Sequence, residues 1–180
     1  MQEPARVAID LGAESCRVSL LRWVDGHPAI EVIHRIPNGP RRRGTSLYWP
    51  LTEILAGLEE GLRKAAAAAP EGIASIGADS WSVDYVRLAP DGSMLCEPFC
   101  YRDERTVKTK QAADAIISSF DIYQRTGAIP IGFNTVYQLM ADSAAGIDKR
   151  APWAMFATFI ARLKRQRRQS RIVHRYPLSP

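Results

Sequence analysis

Apolar positions come in short strand-like blocks as far as Ile36 and settle into helical spacing after Trp49. Arg6-Val7-Ala8-Ile9-Asp10-Leu11 is a β-branched, apolar run closed by Gly12, which predicts a buried strand stopped by a turn. Gly12 can supply the positive φ such a turn often needs. Cys16 to Val24 predicts a second strand, Asp25-Gly26 a tight turn, and Ala29 to Ile36 a third strand. Three strands joined by short turns form an antiparallel meander. Pro37 to Gly44 reads as a loop. Leu51, Ile54, Leu55, Leu58 and Leu62 then fall on one helical face, and Pro70 and Gly72 end that helix. A strand is predicted from Ile73 to Gly77 and another over Ser82–Leu88, with a turn at Pro90-Asp91-Gly92. Helices are predicted at about Thr106–Ser119, Ile122–Thr126 and Asn134–Ala145. This order fits neither strict β–α alternation nor an all-β sandwich. It predicts an α/β domain of the ribonuclease-H-like (actin-like ATPase) kind, with a mixed sheet opening on three antiparallel strands and flanked by helices.

Composition changes this picture only at one end. A hydrophobic share of 46% and a charged share of 24% are ordinary for a globular chain of 180 residues. No apolar run approaches bilayer length, and the first residues lack the layout of a signal peptide. Cys16, Cys96 and Cys100 form no ligand motif and read as reduced thiols, so a cytoplasmic location is expected. The net charge of +5 suggests a nucleic-acid binder until it is divided along the chain. Residues 1–148 carry 15 Lys/Arg and all 19 acidic residues, whereas 149–180 carry nine Lys/Arg and no acid. The basicity belongs to the tail.

Two segments carry candidate chemistry. Asp10-Leu11-Gly12-Ala13-Glu14-Ser15-Cys16-Arg17 sits at the first hairpin. A phosphate-handling turn needs free backbone N–H groups, a small residue and a nearby cation. Gly12, Ala13, Ser15 and Arg17 supply these, and Asp10 could face a hydrated Mg²⁺. A plain hairpin with a surface arginine explains the same residues. There is no Walker-type phosphate loop. The second segment is Gly77-Ala78-Asp79-Ser80-Trp81-Ser82-Val83-Asp84-Tyr85. Carboxylates and hydroxyls accept hydrogen bonds from sugar hydroxyls, and an aromatic face covers sugar C–H groups. A β-turn capped by aspartates is the competing reading. Tyr101-Arg102-Asp103-Glu104-Arg105 and Phe133-Asn134-Thr135-Val136-Tyr137-Gln138 are weaker candidates, read locally as a solvated helix start and a helix cap.

Taken together, these segments resemble the FGGY family of carbohydrate kinases, and within it the rhamnulokinase branch, over about Val7–Met140. The likeness rests on Val7–Ala13, Ile33-His34-Arg35, Gly77–Asp84, Tyr101-Arg102-Asp103, Asp121–Gly127 and Phe133–Leu139. It implies residues 1–148 as the family's N-terminal domain, with transfer of the γ-phosphoryl group of ATP to the 1-hydroxyl of L-rhamnulose. It implies ATP phosphates along Ala13, Glu14, Ser15, Cys16 and Arg17, Mg²⁺ at Asp10, and sugar at Trp81, Ser82 and Asp84, with Arg102 and Asn134 as looser members. It also implies that the family's proton-accepting aspartate and adenine pocket lie in a second domain. No catalytic base is therefore assigned, the chain alone is expected to be inactive, and its interdomain face is expected to self-associate.

Cys16 and Ser82 depart from the family pattern, which has glycine at both positions, and a side chain at 16 is expected to crowd the phosphate. The likeness fades after about Ala145. The acid-free stretch around Ala161–Arg171 is read as the product of a frameshift near residues 145–155. The alternative is a genuine basic tail at 149–180, with an amphipathic helix over Trp153–Leu163 and a disordered arm. Competing functions are a non-catalytic module whose tail binds nucleic acid or an acidic surface, another FGGY sugar kinase, or a different actin-like ATPase.

Overall fold

The computed structural model describes residues 3–148 and 150–162. The rest of the basic tail, with its proposed frameshift or disordered arm, lies outside the described residues. In chain order the elements are β1 (Ala5–Leu11), β2 (Ser15–Val24), β3 (His27–Pro37), β4 (Arg41–Arg43), β5 (Ser46–Tyr48) and α1 (Leu51–Ala68). Then follow β6 (Ile73–Ser80), β7 (Tyr85–Arg87), α2 (Thr106–Asp114), α3 (Ser119–Thr126), α4 (Thr135–Ala144) and β8 (Trp153–Met155). The chain divides into two compact units. The first draws on residues up to Gly39, Thr52–Trp81 and the described residues from Met155 onward; the second comprises Pro40–Leu51 and Ser82–Ala154.

The first unit is built on a four-stranded sheet of order β3-β2-β1-β6. The meander β1-β2-β3 is antiparallel, as the sequence predicts, and β6 joins β1 in parallel. Asp25 and Gly26 both take positive φ, 50° and 78°, giving the tight turn expected of that dipeptide. Alternation sorts the faces. Val7, Ile9 and Leu11 pair across the ladder with Leu20, Val18 and Cys16, and all six are buried.

The helix α1 turns Ile54, Leu58 and Ala65 into the core. Its two glycines let it approach the sheet closely. A Cβ on Gly61 would lie 2.6 Å from Val18 Cγ2, and one on Gly57 would lie 2.8 Å from Ile36 Cγ1. At the far end Arg22 closes the helix. Its NH2 donates to the Ala68 carbonyl at 2.5 Å and its Nε donates to Glu71 at 2.7 Å. Residues 156–162 are helical, and Phe156, Phe159 and Ile160 are buried in this unit. The sequence offered a helix from Trp153. Trp153–Met155 instead form β8, paired with β7.

In the second unit the stretch read as a loop after Pro37 contains the hairpin β4–β5. Tyr48 bridges to Phe99, with ring centroids 4.5 Å apart. The predicted strand over Ser82–Leu88 shortens to Tyr85–Arg87, because Val83 takes a left-handed backbone with φ of 71°. The helix expected at about 106–119 ends at Asp114, and the one expected over Ile122–Thr126 begins earlier, at Ser119. Ser118 accepts from Asp121 N–H and caps α3, and Gly127, with φ of 68°, ends it. No helix among the described residues is long and apolar enough to cross a membrane.

Candidate functional site

The turn between β1 and β2 is tied down by its carbonyls. Asn38, just past β3, donates its Nδ2 to Gly12 O at 2.9 Å, and its N–H donates to Glu14 O at 2.9 Å. Gly12 is needed for close approach and not for its φ, which is not positive. A Cβ there would lie 2.5 Å from the Ser15 carbonyl. Glu14 is exposed, while Ala13 and Ser15 are half-buried.

Cys16 does not crowd the turn. Its side chain is fully buried in the core with its thiol against Gly12 O, and burial pushes that thiol up to about 11. Only its backbone can face a ligand. Arg17 NH1 donates to Asp10 Oδ2 at 2.6 Å on the exposed side of the ladder. Trp81, also in the first unit, donates its N–H to Leu11 O at 3.2 Å and stacks edge-on against Phe156, centroids 4.9 Å apart.

The second unit holds Ser82, Asp84, Arg102 and Asn134. Ser82 is exposed and Asp84 is fully buried, so positions two apart have opposite environments. Asp84 Oδ2 accepts from Trp49 Nε1 at 2.5 Å and Tyr101 N–H at 3.2 Å, and its Oδ1 accepts from Gln138 Nε2 at 3.0 Å. Arg102 is exposed over the Tyr101 ring and donates from Nε to the Tyr101 hydroxyl. Tyr101 meets Phe133 edge-on at 5.8 Å, which brings the segments carrying Asp84, Arg102 and Asn134 together. Asn134 stands at the helix cap as expected but does not use its side chain there. Its Nδ2 donates to the Ile129 carbonyl at 2.9 Å.

Between Ser82 and Asp84 lies the strained residue. A β-branched side chain at φ of 71° is a true outlier and costs about 1–3 kcal/mol. The Val83 carbonyl accepts from Thr135 Oγ1 at 2.8 Å and Gln138 Nε2 at 3.2 Å, both from α4. Behind Gln138 is a buried polar cluster. Asp142 accepts from Arg87 Nε at 2.8 Å, Arg105 NH1 at 2.5 Å and the Tyr85 hydroxyl at 2.6 Å. Arg105 NH2 also reaches Gln138 Oε1 at 3.2 Å. Burial, and then the bond to Asp142, drives the Tyr85 hydroxyl well above the usual tyrosine range, so it remains a donor.

Sequence reasoning missed Asn38 and Asp142, and it held Arg105 and Gln138 only within segments read as a solvated helix start and a helix cap. Gln138 and Asp142 stand four apart on one face of α4, and two large polar residues at that spacing among apolar neighbours was the available signal. Among the described residues no group of three or more His, Cys, Asp or Glu is gathered as a metal-ligand set.

No family model matches the chain. Curated relatives do. It is 39% identical over 132 residues to a rhamnulokinase of Bacteroides thetaiotaomicron, covering 73% of this chain and 27% of that protein. It is 37% identical over 142 residues to a rhamnulokinase of Bacillus subtilis, covering 79% and 29%. The fold matches a xylulose kinase from Lactobacillus acidophilus with a TM-score of 0.69 at 16% identity, covering 83% of this chain and 31% of that one. A carbohydrate kinase from Novosphingobium aromaticivorans matches with a TM-score of 0.68 at 22% identity, covering 89% and 33%. The ribonuclease-H-like, actin-like architecture expected from the order of elements is therefore present. By sequence and by fold the chain is a relative of the rhamnulokinases among the FGGY carbohydrate kinases, and it spans less than a third of the length of those two proteins.

Proposed function

We propose that this chain supplies one ligand-binding wall of a rhamnulokinase-type sugar kinase. The turn from Gly12 to Arg17 receives the phosphates of ATP, and L-rhamnulose lies against Ser82, Arg102 and Asn134. Asp84 serves as the buried anchor behind the sugar segment, since its oxygens are already engaged. Asp10 suits Mg²⁺, being an exposed carboxylate at a strand end that already attracts a cation, the Arg17 guanidinium. When bound, Mg²⁺ neutralises charge on the transferring phosphates.

The observation that carries this reading is the β1–β2 turn. It is a glycine that tolerates no Cβ, with its carbonyls tied back by Asn38 and an Asp–Arg pair at its base. That arrangement leaves the turn's N–H groups to an anion. The sugar is taken from the names of the relatives.

Neither Asp84 nor Asp142 can accept a proton from a sugar hydroxyl, because hydrogen-bond donors already occupy both carboxylates. The chain by itself is expected to bind its ligands without turning over. Calorimetric titration with L-rhamnulose, and with D-xylulose as comparison, tests the sugar assignment. Saturable binding of L-rhamnulose only is the expected outcome, and equal or absent binding of both defeats it. An ADP-release assay with L-rhamnulose, ATP and Mg²⁺ is expected to stay at background. Sugar-dependent turnover would show that the chain has a base of its own.

A further inference from the structure

Strand register sets four charged residues in one row across the first unit. Arg35 pairs with Arg17, Arg17 with Asp10, and Asp10 with Asp79. Directly paired positions project to the same face, so the row reads two cations, then two anions, from β3 to β6. Asp10, Asp79 and Arg35 are exposed, and Arg17 is half-buried. Within the row Arg17 holds Asp10 at 2.6 Å.

Resting on the reading of this turn as a nucleotide site, we propose that Arg17 is an exchanging counter-ion. It neutralises Asp10 in the nucleotide-free chain. It passes to the polyphosphate when a divalent cation takes its place at Asp10. The physical case is one of competing charges. Arg17 and a divalent cation cannot both sit on one carboxylate without strong like-charge repulsion. An ion pair with both partners this exposed is weak, so it can be exchanged. The acceptor for the released guanidinium is the anion bound on the turn that Arg17 itself borders. Asp79 keeps the β1–β6 side of the row negative for the cation, and Arg35 keeps the β3 side positive for the phosphates.

The exchange makes a prediction of opposite sign for two ligands. Removing the Arg17 charge should strengthen binding of the bare cation and weaken binding of a polyphosphate. The test uses the 180-residue chain, with Mn²⁺ binding followed by the electron-spin resonance signal of the free ion. Tripolyphosphate binding in the presence of Mn²⁺ is followed by calorimetry. Arg17→Gln is expected to bind Mn²⁺ about two- to five-fold more tightly than wild type and tripolyphosphate several-fold more weakly. Arg35→Gln removes the same charge one strand away and is expected to weaken tripolyphosphate while leaving Mn²⁺ within two-fold. Arg17→Lys retains the charge and keeps Mn²⁺ affinity near wild type, which guards against misreading a folding defect. An equal Mn²⁺ gain in Arg35→Gln, or no gain in Arg17→Gln, overturns the exchange. If Asp10→Asn leaves Mn²⁺ binding unchanged, the reading of Asp10 as the metal residue fails, and the exchange with it. If Asp10→Asn abolishes Mn²⁺ binding while Arg17→Gln does not improve it, that reading stands and only the exchange is lost.

Discussion

Val83 offers the sharpest stability test, because its backbone reverses the usual order of alanine and glycine. An L-residue in the left-handed region costs about 1–2 kcal/mol, and glycine costs nothing there. Replacing Val83 with alanine keeps most of that strain and loses part of a half-buried side chain. Replacing it with glycine removes the strain, loses about one further half-buried methyl, roughly 0.4 kcal/mol, and adds about 0.5–1 kcal/mol of unfolded-state entropy. The balance puts Val83→Gly level with Val83→Ala or about 0.5 kcal/mol above it. At an ordinary strand position such as Ala8, with its conventional φ, glycine should instead lose about 0.5–1 kcal/mol to alanine. Urea unfolding followed by tryptophan fluorescence resolves a difference of about 0.5–1.5 kcal/mol between the two sites as a midpoint difference of about 0.3–1 M. If Val83→Ala exceeds Val83→Gly by the same margin that separates wild type from Ala8→Gly, the backbone at 83 is not left-handed in solution. The account of the Ser82–Asp84 segment then fails.

Other outcomes follow from the same physical reasoning. Gly61→Ala should destabilise by about 1–3 kcal/mol despite the better helix propensity of alanine, because the new Cβ meets Val18 Cγ2 at 2.6 Å; a stabilised variant in thermal unfolding would refute the close packing of α1 on β2. Burial raises the Cys16 and Cys100 thiols to about 11, so the stability each confers is complete below the unfolded thiol value near 9.0 and is lost as pH rises toward 11. A Cys16→Ala, Cys100→Ala double variant should show a shallower loss over that window, and with a thiol reagent at neutral pH the exposed Cys96 should react first. Trp23, Val24, Ile30 and Val32 leave apolar surface bare on β2 and β3, which predicts self-association; a monodisperse monomer at high concentration by light scattering would count against it.

What the sequence revealed depended on how local the cause was. The meander was legible because alternation in β1 and β2 and the Asp25-Gly26 turn are properties of neighbouring residues. The helix α1 was legible from its spacing. The hairpin β4–β5 was not, because Arg41-Arg42-Arg43 carries no apolar pattern and the pair is completed by the distant Phe99. The burial of the Cys16 thiol was missed for a similar reason. Its family position suggested the phosphate turn, whereas its place in the alternation, opposite Leu11, sends the thiol into the core. The aspartate of Trp81-Ser82-Val83-Asp84 was read as a sugar contact from its chemistry and its family position, beside a capping turn. Its three donors come from Trp49, Tyr101 and Gln138, and no local pattern reports them.

The polar cluster behind Val83 explains how a strained turn persists in a small unit. Two guanidiniums, Arg87 and Arg105, face Asp142, so both oxygens of this buried carboxylate are paired. Paired and hydrogen-bonded charges can be tolerated inside a protein, whereas loss of one partner strands the rest at a cost of several kcal/mol. Gln138 joins the two carboxylate centres, giving its amide N–H groups to Asp84 and the Val83 carbonyl and its oxygen to Arg105. The strain at Val83 is therefore opposed by α4 and not by the strand that follows it. That division of labour lets Ser82 stand exposed in a fixed conformation while the carboxylate two residues on is sealed inside.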